Sequence, residues 1–282
     1  MKAIKETGNN LLAAIDKSDS VGIIDTYFPN ADFFTEFERF DRHIEKLKRK
    51  GTQIDYVTVC SPNYLHDAHI RFGFRIGANV ICEKPVVLNP WNLNPLIEIA
   101  EETGKSANVI LQLRLHPAIQ ALKEKVSTGF SVKKFNVNLT YITPRGNWYH
   151  NSWKGDITKS GGIATNIGVH FFDLLLWIFG DVAESRVEEH TIDKARGSLV
   201  LEKANVKWFL SIDPNDLAAH TSANTIHSFR SLTVNDETID LNEGFADLHT
   251  RSYEEIVNGN GFTIKEAVKV TELLHQVRNT IR

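Results

Sequence analysis

The chain has 282 residues, enough for two domains that each bury a core of their own. With 42% hydrophobic and 24% charged residues it is neither a disordered nor a fibrous chain. A net charge of -3, both signs interspersed, supplies no basic arm for nucleic acid and no polybasic patch for a membrane surface, so an anionic ligand has to be held by local groups.

Met1 to Gly8 lack the apolar core of a signal peptide, and the segment Lys2 to Thr7 reads as the end of a helix. The apolar run Leu11 to Ile15 ends on Asp16. A helical stretch starts near Ser20, and a second, charged one covers Phe40 to Lys50. The strand Tyr56 to Cys60 leads into Ser61-Pro-Asn63 and a helix from about Leu65 to Ile76. The strand Asn79 to Cys82 leads into Glu83-Lys84-Pro85, and a helix over Asn92 to Glu102 ends at Gly104, where glycine suits a left-handed cap. Alternating short apolar runs and helices predict a doubly wound, Rossmann-like parallel sheet over residues 1–110.

After a strand at Ala107 to Leu111 and a helix at Pro117 to Val126 the pattern changes. Alternating runs at Lys134 to Ile142, Glu184 to Thr191, Gly197 to Glu202, Val206 to Ile212 and Arg230 to Val234 follow with one helix, Val169 to Phe179, among them. Strands in succession predict a mostly antiparallel sheet, hence an α+β second domain over 111–282 for substrate binding and oligomerisation. Helices at Thr250 to Val257 and Ile264 to Ile281 close the chain. The run Phe171 to Phe179 is too short to span a bilayer and holds Asp173. Cys60 and Cys82, the only cysteines, both read as buried strand residues, so no disulfide framework is expected and a cytoplasmic location is.

Asp16, at the end of a strand, serves either as a turn residue or as the acid that bonds the adenosine ribose of a dinucleotide. In the second role it belongs about 20 residues after a glycine-rich turn. That position falls before Met1, so the chain is expected to lack a first strand and its phosphate-binding loop, as a late-assigned start or a fragment would. Ser61, Asn63, Glu83 and Lys84 follow buried strands and meet at one sheet edge, where ligands of open parallel sheets lie. Lys84 is either a solvated surface lysine or a donor to a substrate hydroxyl. Arg145-Gly-Asn-Trp148-Tyr149, Trp153-Lys154, Lys159-Ser-Gly-Gly162 and Asn166-Ile-Gly-Val-His170 crowd glycines, aromatics and cations between a strand and a helix, which suits close approach to a polar ligand. His170 is either a structural histidine or a base whose pKa the positive helix end lowers. His66 and His69 have no companion ligands for a metal, and none is expected.

These residues resemble the Gfo/Idh/MocA oxidoreductases, through Ser61-Pro-Asn63, Glu83-Lys84-Pro85 and Gly161-Gly162 before the His170 helix. The similarity is closest to the UDP-N-acetyl-2-amino-2-deoxyglucuronate dehydrogenases (WlbA/WbpB type), through Ile110 to Arg114, Thr140 to Thr143, Arg145 to Tyr149, Ser152 to Asp156, Ala164 to His170 and Asp247 to His249. The resemblance implies NAD as cofactor, with Asp16, Ser61, Asn63, His66, Glu83, Lys84, Gln112 and Trp153 around it. It implies a UDP-linked amino-uronic acid, with Lys84, Arg145, Trp148, Tyr149, Lys154, Lys159, Asn166 and His170 in contact. Lys84 would orient the C3 hydroxyl and His170 would take its proton, in a homotetramer that serves lipopolysaccharide sugar synthesis. Another sugar dehydrogenase of the family, or a sugar-nucleotide-binding protein without redox activity, remain alternatives.

Overall fold

The computed structural model describes residues 1–19, 21–129, 133–220, 227–241 and 247–280. Its first part runs α1 (Lys2–Glu6), β1 (Ala13–Ile15), α2 (Ile23–Tyr27), β2 (Asp32–Phe34), α3 (Phe37–Arg49), β3 (Tyr56–Val59), α4 (His66–Arg75), β4 (Asn79–Cys82), α5 (Leu93–Thr103) and β5 (Ala107–Val109). Every strand pairing here is parallel. The helices follow from local chemistry. In α3, Phe40 and Ile44 lie one turn apart on the buried face, and Lys46, Lys48 and Arg49 fill the last turn, where cations meet the negative helix end. The chain leaves α5 through Gly104 in the left-handed conformation (φ 64°), as the sequence predicts. The helix expected near Ser20 is α2; Ser20 itself lies outside the described residues.

The expected parallel sheet is present in two pieces. β1 pairs with β2 alone, while β3, β4 and β5 form a separate three-stranded sheet. Burial follows this division. β5 is buried throughout and β4 over Val80 to Cys82, whereas β1 is half-buried throughout and β3 over its first three residues. One apolar layer still joins the pieces: Phe40 and Ile44 of α3 pack with Phe72, Ile76 and Ala78, and Ala13, Ile15, Phe34 and Val57 lie against them. Cys60 lies just beyond β3 and is exposed, unlike Cys82, so only one cysteine occupies the buried strand position expected of both.

The second part comprises α6 (Pro117–Thr128), β6 (Phe135–Ile142), α7 (Asn147–Asn151), α8 (Ile157–Ser160), α9 (Gly162–Asn166), α10 (Val169–Phe179), β7 (Val182–His190), β8 (Lys194–Leu201), β9 (Ala204–Ser211), α11 (Pro214–His220), β10 (Phe229–Val234), β11 (Glu237–Ile239), α12 (Leu248–Val257) and α13 (Val268–Asn279). The expected end of the last helix, Ile281, lies outside the described residues. Six strands form one sheet in the order β11-β10-β6-β9-β8-β7, antiparallel except for the β6/β9 pair. β6 alternates, with Val137 and Leu139 in the core and Asn136 and Asn138 exposed, the pattern of a sheet covered on one face. α10 is buried almost all round, and Phe172, Leu174, Leu175 and Phe179 anchor it in the core.

α12 does not stay with this sheet. Tyr253 and Ile256 pack with Ala3 of α1, Ile81 of β4 and Ile110. The amide of Val109 donates to the carbonyl of Phe262 at 2.8 Å. A segment late in the chain thus covers the parallel strands.

Candidate active site

The carboxyl ends of β3 and β4 are stapled together by His66. Its Nδ1 lies 2.7 Å from the Pro85 carbonyl and its Nε2 2.8 Å from the Ser61 carbonyl. Burial pushes its pKa down, against the pull of both carbonyls. Expected among the cofactor contacts, His66 is 1% exposed, and both its ring nitrogens are engaged by these carbonyls. The Ser61 hydroxyl meets His69 Nδ1 at 2.8 Å. Asn63, also buried, crosses to the second domain, where its amide donates to the Ser160 carbonyl at 2.9 Å.

β4 leads directly into Glu83 and Lys84. The Lys84 ammonium donates to the Asn166 carbonyl at 3.2 Å, a second bond between the domains. The Asn166 amide in turn donates to the buried Tyr149 hydroxyl at 2.9 Å. Burial of Lys84 first, then Lys154 and Arg145, bring its pKa down to about 8, while Glu83 opposes them. Glu83 is held below the usual carboxylate range against the penalty of burial, by His249 Nε2 at 3.1 Å and by Lys84. Gln112, in the turn after β5, meets the same histidine: its Oε1 is 2.9 Å from His249 Nδ1.

Glycines bring the other wall close. Gly161, between α8 and α9, has φ 81°, which side chains rarely adopt. At Gly168, between α9 and α10, a β-carbon would stand 2.5 Å from the Ala164 carbonyl and 2.6 Å from Leu210. The two joints seat α9 and α10 against β9, and Asn166 and His170 with them. The Nδ1 of His170 is buried and has no hydrogen-bond partner among the described residues. Its pKa lies well below the usual 6.5, chiefly through burial and then through Lys84, His249 and Arg230. The lowered value expected of this residue is present, and burial is its largest cause.

After burial, Arg145 lowers the pKa of both Lys84 and Lys154, and Lys154 lowers that of Lys84, which marks a crowded cationic region around Lys84. Lys154 lies over the rings of Trp148 and Trp153, at 5.3 and 5.7 Å. Lys159, expected among these cations, instead pairs with Asp156 at 3.1 Å in its own helix turn. Asp16 is exposed and one of its oxygens accepts the Ser18 amide at 2.9 Å, the turn role, which leaves the other oxygen open to a ligand. Two residues join the site without being singled out beforehand. Arg230, from β10, carries its charge to His170 and lies over Tyr141. His249 was visible only as part of the run Asp247-Leu-His249.

Residues 2–111 match the NAD-binding Rossmann-fold profile of the Gfo/Idh/MocA oxidoreductase family, and residues 123–211 match that family's C-terminal α/β domain. The chain belongs to the Gfo/Idh/MocA oxidoreductase family. Members of this NAD-linked family for which structures exist include the WlbA (WbpB) dehydrogenase from Thermus thermophilus, solved in complex with NAD and α-ketoglutarate. It is 43% identical, with a TM-score of 0.94 over 99% of this chain and 90% of that one. A structure from the same organism in complex with NAD and UDP-GlcNAcA gives 43% identity and a TM-score of 0.93, over 98% and 89% of the two chains. D-glucoside 3-dehydrogenase of Escherichia coli K12 is 26% identical over 140 residues, 50% of this chain and 40% of that enzyme. The chain spans less than half the length of the curated relatives it first matches.

Proposed function

We propose that the protein is an NAD-dependent dehydrogenase that oxidises the C3 hydroxyl of a UDP-linked N-acetylamino-uronic acid. The observation that carries this reading is the Nδ1 of His170, without a hydrogen-bond partner among the described residues, near Lys84, whose ammonium in turn feels Lys154 and Arg145. A neutral imidazole accepts a proton, an ammonium stabilises the oxygen that loses it, and three cations suit a ligand that carries a diphosphate and a carboxylate. The 43% identity to a dehydrogenase solved with NAD and UDP-GlcNAcA supports the choice of both ligands.

The residues present fit the cofactor at the carboxyl ends of the parallel strands of both sheets: the oxygen of Asp16 that Ser18 leaves free, after β1, Ser61 and Asn63 after β3, Glu83 and Lys84 after β4, and Gln112 after β5. NAD, when bound, supplies the hydride acceptor. Lys84 then donates to the reacting hydroxyl in place of the Asn166 carbonyl, and His170 Nδ1 receives the hydroxyl proton. Asn166 and Tyr149, already bonded to each other, present an amide and a phenol to the sugar. Arg145 and Lys154 take the anionic groups, and exposed Trp148 offers a ring for the uracil to stack on. Within this proposal the enzyme works in the cytoplasm as a homotetramer and serves lipopolysaccharide O-antigen sugar synthesis.

The test is turnover with NAD and UDP-GlcNAcA, read as reduced nicotinamide, in the wild type and in Lys84→Ala and His170→Ala. Each substitution is expected to lower kcat by about 10²- to 10⁴-fold. Wild-type rates in both variants would remove the pair from the chemistry, and sugar-nucleotide binding without turnover would leave a binding protein.

A further inference from the structure

The first turn of α12 ties three separate parts of the first domain together. Lys2 of α1 lies 3.2 Å from Asp247, and the Thr250 hydroxyl donates to Glu6 of α1 at 2.7 Å. Between these anchors stands His249, stacked on Tyr253 one turn on, with ring centroids 5.8 Å apart and planes 28° apart. Its Nε2 is 3.1 Å from Glu83 Oε1, and its Nδ1 is 2.9 Å from Gln112 Oε1. Each ring nitrogen thus faces a residue at the end of a different strand, β4 or β5.

Proton counting constrains this arrangement. A carboxylate only accepts, so Nε2 carries the hydrogen that Glu83 receives. The other nitrogen either donates to the Gln112 oxygen, as in an imidazolium, or accepts from the Gln112 NH₂ once the amide is turned over. Both forms keep both contacts. Glu83 depends on them, because it is a half-buried carboxylate whose other support is the neighbouring Lys84 and its amide. Without His249, Glu83 would turn to the Lys84 ammonium and compete for the group that the reacting hydroxyl needs.

We propose that His249 is a positioning residue of the cofactor edge: it holds the Glu83 carboxylate and the Gln112 amide in place, and through Glu83 it keeps the Lys84 ammonium free for substrate. This rests on the NAD-linked reading above. His249 does not itself touch the reacting atoms. A partner of this kind, one layer behind the groups that meet the ligand, commonly changes affinity or activity by about 10- to 100-fold.

The test is a fluorescence titration of NADH into the full chain, with melting temperature measured alongside. His249→Phe keeps the volume and the stack on Tyr253 and removes both hydrogen bonds; it is expected to weaken NADH binding about tenfold or more. His249→Gln, which can still donate to Glu83, is expected to recover most of that loss. Glu83→Gln combined with His249→Phe is expected to lose less NADH affinity than the sum of the two single losses, since the two residues act as one unit. Wild-type affinity in His249→Phe, or a lowered melting temperature that His249→Gln fails to rescue along with binding, would overturn the proposal alone. A wild-type chain that takes up no NADH would instead overturn the NAD-linked reading beneath it.

Discussion

Lys84 illustrates how a site residue is strained by the place that makes it useful. Its pKa stands at about 8 in the folded chain against the usual 10.5, chiefly because burial penalises the charge. Below about pH 8 the ammonium is therefore charged in both states and costs folding free energy; the cost fades as pH rises towards 10.5, where the unfolded chain also loses the proton. Lys84→Met is expected to abolish turnover while stabilising the fold at neutral pH by about 1–3 kcal/mol. Melting curves of both proteins between pH 7 and about 10 check the sign: the gap should narrow as pH rises. In the wild type kcat/KM should fall above about pH 8 as Lys84 deprotonates. No acid limb should appear near the ordinary histidine range, because His170 titrates well below it. The sequence pointed to Glu83 and Lys84 through the strand that precedes them, and to His170 through the glycines ahead of the apolar helix α10. What the sequence does not show is the local ion pair of Lys159 with Asp156 and the burial of the His66 ring between two carbonyls.

Among the elements, α10 matters most, since it holds His170 and is fixed by a buried ion pair. Arg114, in the turn after β5, grips Asp173 through Nε at 2.9 Å and Nη2 at 2.7 Å, and reaches Glu266 with Nη1 at 2.6 Å. The side chains of Arg114 and Asp173 are 5% and 4% exposed, so breaking the pair leaves a charge without a partner in the interior. Arg114→Met is expected to cost about 3–5 kcal/mol, read from denaturant midpoints, and Arg114→Met with Asp173→Leu is expected to recover much of it. If the double variant were no more stable than the single one, the pair would not be what anchors α10. Long periodic helices such as α3, α5 and α10 were readable from their apolar spacing. β2, β11 and α11 were not, because three to seven residues carry too little periodicity. The turn before β11, Asn235-Asp236, has both residues at positive φ (48° and 67°), a hairpin signal that the alternating runs around it obscured.

Over the whole molecule, the sequence pattern announced a parallel layer and a mostly antiparallel one, and both are there. What it hid is long-range. Nothing in residues 248–263 reveals that they return to cover the parallel strands, because an amphipathic helix records that it has an apolar face but not what lies against it. Nor does the pattern show the division of the parallel sheet between β1 and β3, both of which are less buried than β4 and β5. The domains meet through Asn63 to Ser160 and Lys84 to Asn166, so the chemistry proposed here depends on their joint geometry. The most direct measurement of it uses UDP-GlcNAcA carrying deuterium at C3, incubated with the protein and NAD, with the reduced cofactor weighed by mass spectrometry. The account predicts reduced nicotinamide that carries the deuterium, formed by the wild type and lost in His170→Ala. Reduced cofactor without deuterium, or none at all while the sugar nucleotide binds, would contradict it.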